Sequence, residues 1–156
     1  YIRKIVHDLG YKLKVGAHMA ELRRTKAGPF TEDNLFTLQD LQDAFYYFKK
    51  ENNDKFLRKI IQPVENAISH LSKIWVFDTT ISSLCHGTDL KIPGISKLND
   101  KIEKNNTVAL MTLKDELIAL GNAKLSSDEI IKNKQGIAVK TDKVFMNPEI
   151  YKVLEN

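Results

Sequence analysis

The sequence predicts an α+β protein in which a helical first part precedes a small, mostly β unit. Apolar residues recur at helical spacing up to about Ser72, whereas from Lys73 onward they alternate with a period of two. The second part also holds short apolar runs separated by turn signals, which is typical of a small barrel-like sheet. We therefore divide the chain into residues 1–72, residues 73–150 and a tail at residues 151–156.

In the first part, a helix is predicted from the stripe of Ile5, Leu9 and Leu13, with Gly16 as a plausible stop. Residues 18–25 alternate apolar and polar side chains and are interpreted as a strand that ends in a turn at Gly28-Pro29.

Three further helices are expected before the change of period. Thr37 with Asp40 three positions later approximates a capping box, and a helical stripe follows as far as Phe48. Asp54 is positioned to cap a short helix, and Pro63 permits another one with its apolar stripe at Val64, Ala67, Ile68 and Leu71.

In the second part, strands are predicted at residues 73–77, 107–112, 116–121 and 137–146. Lys114-Asp115 fits a hairpin turn, Ser126 opens a brief helix with a capping box, and residues 97–106 are interpreted as a polar loop. Around residues 85–95, Gly87 suits a helix end, Leu90 and Ile92 suit a half-buried strand, and Pro93-Gly94 breaks that strand.

The composition limits the classes of protein to which the chain can belong. With 156 residues, of which 42% are apolar, the chain can bury a core without crosslinks. Cys85 is the only cysteine, which excludes an internal disulfide and a cysteine-rich zinc site, and the four histidines are scattered. No apolar run has the length of a membrane span, and no signal-peptide pattern opens the chain. We expect a cytoplasmic protein with no metal, no cofactor and no membrane partner.

Positive charge is concentrated at the start of the chain. The formal net charge is +4, but residues 1–30 hold seven Lys/Arg against two Asp/Glu, whereas residues 31–72 hold five against seven. A dense positive segment beside a neutral one is typical of a surface that binds a polyanion. Many basic helices are merely solvated, so the charge by itself leaves both interpretations open.

A series of short motifs resembles dyskerin-type pseudouridine synthases, most closely the archaeal members. Their order and spacing match the closing motifs of the catalytic domain and then a PUA domain, which is a small RNA-binding pseudobarrel. In the first part these are Tyr1-Ile2-Arg3, His7-Asp8-Leu9-Gly10, Val15-Gly16-Ala17-His18-Met19, Glu21-Leu22-Arg23-Arg24-Thr25 and Gly28-Pro29-Phe30; later ones include Ile61-Gln62-Pro63, Cys85-His86-Gly87, Pro93-Gly94-Ile95 and Gly136-Ile137-Ala138-Val139.

The resemblance implies the catalytic subunit of an H/ACA ribonucleoprotein, in which a guide RNA selects a uridine in ribosomal RNA, or in tRNA, for isomerisation to pseudouridine. The implied partners are the guide RNA, the substrate RNA and the small protein subunits of the particle, with no DNA; relatives in eukaryotes are nucleolar. The family's nucleophile is an aspartate in a Gly-x-Leu-Asp motif, which this sequence does not contain. We expect an upstream part to supply it and the chain by itself to be inactive.

The resemblance also assigns roles to residues. Arg3 matches the arginine that pairs with the nucleophilic aspartate, Leu22 matches an apolar wall of the active-site pocket, and Tyr1 matches an aromatic near that pocket. Without the family, Arg3 would be read as a solvated charge and Leu22 as core. Arg23, Arg24 and Lys26 are candidates for phosphate contacts, with pairing to acidic residues as the alternative.

The guide RNA's lower stem and its 3′ ACA trinucleotide would lie on the surface around residues 85–97, where unpaired bases can be read by polar edges. The candidate residues there are His86, Gly87, Thr88, Asp89, Lys91, Pro93, Gly94 and Lys97. The alternative is that Pro93, Gly94 and His86 only determine the fold. Two other functions stay open, a non-catalytic PUA-type RNA-binding module and a stand-alone tRNA pseudouridine synthase.

Overall fold

The computed structural model describes residues 1–151. The described chain forms two compact units, which divide between Leu35 and Phe36. The α+β prediction is confirmed, because helices dominate the first part and a six-stranded sheet dominates the second. Of the predicted tail, Tyr151 is described and residues 152–156 lie outside the described residues.

The first unit contains helix α1 (Ile2–Lys12) and a two-stranded antiparallel ribbon of β1 (Lys26–Ala27) and β2 (Phe30–Thr31). Gly28 turns the ribbon with a φ of 58°, a conformation that favours glycine. The strand predicted at residues 18–25 is wrong, since that stretch has no regular secondary structure. An alternating pattern becomes a strand only when another strand pairs with its backbone, and here only residues 26–27 are paired.

Helix α2 (Leu38–Glu51) confirms the predicted capping box. The Thr37 side chain accepts a hydrogen bond from the Asp40 N–H (3.1 Å), and Asp40 accepts one from the Thr37 N–H (2.7 Å). The Asp40 carboxylate also accepts from the Thr37 hydroxyl (2.7 Å), and this side-chain bond, together with the bond from the Thr37 N–H, holds the pKa of Asp40 below its ordinary value. The helix ends at Asn52, which has a left-handed φ of 51°.

Two details of the following helices differ from expectation. Asp54 occupies the N-cap position of helix α3 (Lys55–Ile60), as predicted, but its side chain makes no capping bond and pairs with Arg58 one turn later. The Lys55 N–H donates instead to Asn53 Oδ1 (3.1 Å). The α-helix expected after Pro63 is a short 3-10 helix (Val64–Ile68) instead. Of the predicted apolar stripe, Ile68 is 5% exposed and Leu71 packs beside it, whereas Val64 is 46% exposed.

The sheet of the second unit has the order β4-β8-β7-β6-β3-β5. Its strands are β3 (Ser72–Val76), β4 (Leu90–Lys91), β5 (Ile95–Leu98), β6 (Thr107–Met111), β7 (Leu117–Ala123) and β8 (Ile137–Val144). Neighbouring strands are antiparallel except for β3 and β6, which are parallel. Helix α4 (Asp78–Cys85) follows β3, and α5 (Ser127–Lys132) starts at the capping box predicted at Ser126.

The predicted polar loop at residues 97–106 is partly wrong, because β5 includes Lys97 and Leu98 and because Ile102 is 1% exposed. Likewise, the strand expected through Ile92 ends at Lys91, and residues Ile92–Gly94 form a 3-10 turn. The proline in this turn offers no N–H to a ladder, which favours the early end.

Two apolar clusters hold the second unit together. The larger one includes Ile81 and Leu84 of α4 packed with buried residues of the sheet such as Leu110 and Ile118. In the smaller one, Ile68 packs with Ala109, Met111 and Leu117, with Leu71, Trp75 and Leu120 around them. Each fully buried side chain of this kind stabilises the fold by about 1.5–3 kcal/mol. The segment before Ser72 is therefore part of the packing of the sheet.

Candidate nucleic-acid interface

A groove of about 430 Å³ runs between the end of α4 and the β4 region. Its walls carry hydroxyl, carboxylate and ammonium groups together with one proline and one glycine, and they are formed by Thr79, Thr80, Ser83, Thr88, Asp89, Lys91, Pro93 and Gly94. Five of these residues were predicted from the sequence as RNA-binding candidates. A concave surface with convergent donors and acceptors is suited to a polar ligand.

The end of α4 gives the groove its shape. Gly87 adopts a φ of 82°, as predicted, and its N–H donates to the Leu84 carbonyl (2.8 Å), while the Thr88 N–H donates to Ser83 (3.2 Å). His86 lies 2.7 Å through Nδ1 from the Ser82 carbonyl. Since a carbonyl only accepts, Nδ1 is the donor in this contact. His86 and Gly87 therefore flank the groove and do not line it.

Two contacts with β8 fix the far wall. The Thr141 N–H donates to Asp89 Oδ1 (3.0 Å), and the Thr141 hydroxyl donates to the Thr88 carbonyl (2.7 Å). One oxygen of Asp89 is thereby engaged within the protein, which gives this residue a structural role in addition to its place on the groove wall.

Gly94 forms the floor next to α4. A Cβ at this position would lie 2.7 Å from the Thr80 Oγ1 and 2.8 Å from its methyl group, so a larger residue would push into the groove. The Gly94 carbonyl also accepts from the Phe77 N–H (3.0 Å), which ties the turn to the start of the helix.

Lys97 lies elsewhere. It pairs with Trp75 across β5 and β3, and its Nζ lies 4.1 Å from the centroid of the Trp75 ring. A cation over an aromatic face is stabilised by the quadrupole of the ring. Lys97 is exposed and does not line the groove, and its role as an RNA contact stays a prediction.

The sequence reasoning missed Thr79, Thr80 and Ser83. Their signal is the dense run of hydroxyl residues between Asp78 and Ser83, directly before the motif at Cys85. Such residues are neutral or unfavourable inside a helix, so a run of them points to a polar surface. The same helix carries Cys85, whose pKa is raised by burial and which is thus an unreactive thiol.

In the first unit, the three candidate catalytic residues Tyr1, Arg3 and Leu22 are all exposed. Arg23 forms an ion pair with Glu32, while Arg24 and Lys26 are exposed. The expected alternative was pairing with acidic residues of an upstream part; the partner of Arg23 lies instead within this chain, and the phosphate contacts of the cluster stay a prediction.

Residues 1–151 contain no group of three or more His, Cys, Asp or Glu side chains arranged to hold a metal ion. Within the same residues, no helix is long and apolar enough to cross a membrane.

Two protein-family models match the chain. One describes the tRNA pseudouridylate synthase B C-terminal domain and matches residues 3–69, and the other describes the PUA domain and matches residues 72–145. Curated relatives include the probable tRNA pseudouridine synthase B of Nanoarchaeum equitans, 49% identical over 97% of this chain and 43% of that protein, and that of Pyrococcus abyssi, 51% identical over 97% and 46%.

Similar structures come from H/ACA particles. A chain of the archaeal box H/ACA sRNP Nop10–Cbf5 complex has a TM-score of 0.89 and 50% identity, over 99% of this chain and 50% of that one. A chain of an H/ACA RNP bound to a substrate RNA containing 2′-deoxyuridine has a TM-score of 0.86 and 48% identity, over 97% and 48%.

The sheet, the groove beside α4 and the match over residues 72–145 define a PUA-domain protein. The preceding match makes the assignment narrower: the chain consists of a tRNA pseudouridylate synthase B C-terminal domain followed by a PUA domain, and it is similar to the corresponding region of archaeal pseudouridine synthases. This confirms the resemblance found in the sequence. The chain spans slightly less than half the length of the curated relatives above.

Proposed function

We propose that this chain is the C-terminal region of the catalytic subunit of an H/ACA guide-RNA ribonucleoprotein, which isomerises uridine to pseudouridine in ribosomal RNA or tRNA. The observation that carries the proposal is the similarity, over 99% of the chain, to a chain of an H/ACA sRNP complex. That similarity extends through both domains, whereas a PUA module used as a general adaptor has no need of the synthase domain before it.

In this proposal the PUA groove holds the end of the guide RNA. Hydroxyls of Thr79, Thr80 and Thr88 can donate to or accept from base edges, and Lys91 can contact a phosphate. His86, which precedes Gly87 and Thr88 in the chain, is a further candidate for contacts with bases. We assign the guide's lower stem and ACA trinucleotide to this groove, with Lys97, whose Nζ lies over the Trp75 ring, as a candidate phosphate contact outside it.

The first unit contributes to catalysis in combination with an upstream aspartate. Arg3 would keep the carboxylate of that nucleophile ionised and oriented, because a guanidinium offers two donors in a fixed plane. Leu22 would form an apolar wall and Tyr1 would lie near the same pocket. The aspartate would attack uracil or its ribose, the bond between the ribose C1′ and the base N1 would break, and C1′ would rejoin the rotated base at C5. The bond to the aspartate would then break, C5 would lose its proton and N1 would gain one. This route uses no cofactor and no metal.

Partners follow from the same proposal. Similar chains occur in structures that contain Nop10, or Nop10 and Gar1, and in one with a substrate RNA. We infer corresponding small protein subunits, a guide RNA and a substrate RNA for this protein, without DNA, and residence in the cytoplasm if it comes from an archaeon. Arg24 and Lys26 are the remaining candidates for phosphate contacts in the first unit, since Arg23 is paired.

The second candidate is a stand-alone tRNA pseudouridine synthase, which the names of the curated relatives favour. The two functions differ in what the PUA groove recognises. A guided enzyme needs to recognise the ACA trinucleotide of its guide, whereas a stand-alone enzyme recognises tRNA directly.

Titration with two hairpins that differ only in the trinucleotide tests the proposal. We expect the ACA hairpin to bind more tightly, by about tenfold or more for each base that the groove recognises. This preference should persist as salt rises, since phosphate contacts weaken equally for both hairpins.

Lys91→Met should weaken both hairpins and Thr80→Val should narrow the gap between them. Lys134→Met, an exposed lysine outside the groove, serves as the control. Equal affinity for the two hairpins across the salt range would contradict the guide-RNA assignment and favour the stand-alone enzyme.

A further inference from the structure

One hydrogen bond joins the end of the synthase domain to the PUA sheet. Glu65, in the 3-10 helix at Val64–Ile68, accepts through Oε1 from the Leu117 N–H at 2.9 Å. The two residues are 52 positions apart, and Leu117 is 4% exposed. A charge-assisted hydrogen bond at a partly buried site is stronger than one between neutral groups.

On the sheet side, the hydrogen bond ends at a hairpin that other side chains also hold in place. Leu117 starts β7 next to a register shift between Leu110 and Met111 of β6. The preceding hairpin at residues 112–116 is held from two other sides, because Trp75 Nε1 donates to Asp115 (2.6 Å) and the Tyr151 hydroxyl donates to Glu116 (2.5 Å).

The other end is also stiff. Asn66 bonds through its side chain to Gln62 (3.0 Å) and through its N–H to the Pro63 carbonyl (3.1 Å). Pro63 has a fixed φ of −58°, and a residue before proline is confined to extended conformations, so α3 is connected to the 3-10 helix by a link with little freedom.

Apolar packing supports the same arrangement. Ile68, on the same 3-10 helix as Glu65, is buried against Ala109, Met111 and Leu117 of β6 and β7. The 3-10 helix is thus fixed to the sheet by one directional bond and one apolar anchor. The bond sets the position of the helix along β7, which apolar contacts alone leave less defined.

We propose that Glu65 is a positioning residue that fixes the PUA groove relative to helices α2 and α3. This rests on the function proposed above: a guide held at its 3′ end by the PUA domain keeps a constant position relative to helices α2 and α3 only if the 3-10 helix stays seated on the sheet. Glu65 touches neither reacting groups nor RNA in this role and acts through the seating of residues 64–68 on the sheet.

Three substitutions separate this role from plain stability. Glu65→Ala removes the acceptor, and Glu65→Asp keeps the charge but shortens the side chain by one methylene. Glu65→Gln retains an oxygen at the same reach. Glu103→Ala serves as the matched control, because Glu103 is exposed and its side chain makes no hydrogen bond among residues 1–151.

The direct readout is exchange of the Leu117 amide hydrogen in this chain. We expect Ala and Asp to accelerate it by about tenfold or more and Gln, which keeps the acceptor oxygen but loses the charge, to accelerate it less, while the Glu103→Ala control stays close to the unchanged protein. Unchanged exchange in both Ala and Asp would show that the bond does not hold the segment, which overturns the proposal.

The functional readout is single-turnover pseudouridine formation by the full-length protein with a guide that carries ACA and with one that lacks it. We expect Glu65→Ala and Glu65→Asp to lower the rate with the ACA guide by about tenfold at unchanged guide affinity, and to have little effect on the slower reaction without ACA.

The possible failures are distinguishable. Equal loss with both guides, or loss of guide affinity, would mean a structural role only and would overturn the proposal, as would normal ACA-dependent turnover by both variants. Absence of guide-dependent turnover in the unsubstituted protein would instead overturn the proposed function.

Discussion

Some residues of this chain have roles that follow from contacts seen within it, whereas the proposed roles of others depend on a partner residue outside it. Asp89 and His86 belong to the first group, because each has a named partner within the PUA domain. Arg3 belongs to the second: it is exposed near the start of α1, and its proposed partner is an aspartate upstream of Tyr1.

For Arg3 we predict a large effect on chemistry and little effect on RNA binding. In the full-length protein, Arg3→Ala should lower single-turnover pseudouridine formation by about 100-fold or more, since a donor fixed beside a reacting carboxylate contributes on that scale. Arg3→Lys should also be impaired, because an ammonium cannot reproduce the planar pair of donors.

The neighbouring Lys4→Ala is the control and should leave both the rate and the guide affinity near normal, since Lys4 is exposed on the same helix. A rate close to normal for Arg3→Ala would remove Arg3 from the catalytic residues.

At the scale of helices and strands, the structure shows which sequence patterns were sufficient to predict an element. Both capping boxes were predictable, because Thr37 with Asp40 and Ser126 with Glu129 need only local geometry. The left-handed glycine at position 87 was predictable for the same reason. What failed depended on distant partners: residues 18–25 had the alternation of a strand without a paired strand, and β5 had too little alternation to be noticed.

In the candidate site, too, local features were predictable from the sequence and contacts between distant residues were not. The motif at residues 85–95 located the groove, but the sequence could not show that Lys97 points to Trp75, which depends on the pairing of β5 with β3. Nor could it show that the Asp89 carboxylate is partly occupied by Thr141, since the two residues lie 52 positions apart.

The hairpin between β6 and β7 carries a pH-dependent contact. The hydrogen bond from Tyr151, followed by smaller effects of Thr112 and Lys114, holds the pKa of Glu116 below its ordinary value despite some burial, and the same bond raises the pKa of Tyr151. Because the folded pKa of Glu116 is depressed, the stability it contributes is present above pH 4.5 and is lost as pH falls through the folded pKa. The contribution of Tyr151 is present below pH 10.0 and is lost as pH rises through its raised pKa.

Tyr151→Phe should therefore return the pKa of the Glu116 carboxyl toward its ordinary value and reduce the loss of unfolding free energy in acid. Carboxyl titration by NMR and urea unfolding above and below pH 4.5 measure the two effects. Tyr11→Phe, at an exposed tyrosine of α1, is the control. An unchanged Glu116 titration in Tyr151→Phe would show that the bond is not formed in solution.

At the scale of the whole molecule, the PUA domain as a folding unit begins before the first residue of its family match. The sequence places the division near residue 72, and the PUA family model begins at the same residue. Yet Ile68 and Leu71 pack on Met111 and Leu117 of the sheet, and Glu65 bonds to Leu117. The segment from Gln62 onward therefore contributes to the stability of the domain, although it belongs to the preceding family match.

We predict that a fragment of residues 62–156 is more stable than one of residues 72–156 by about 2 kcal/mol or more, which is the order expected for burying one large aliphatic side chain. Urea unfolding of the two fragments measures the difference as a shift in midpoint at similar slope. Ile68→Ala in the longer fragment should remove most of the gain, whereas Val64→Ala, at an exposed position of the same 3-10 helix, should remove little of it. Equal midpoints for the two fragments would mean that residues 62–71 only rest on the sheet, and the stiff connection proposed for Glu65 would then lack its apolar anchor.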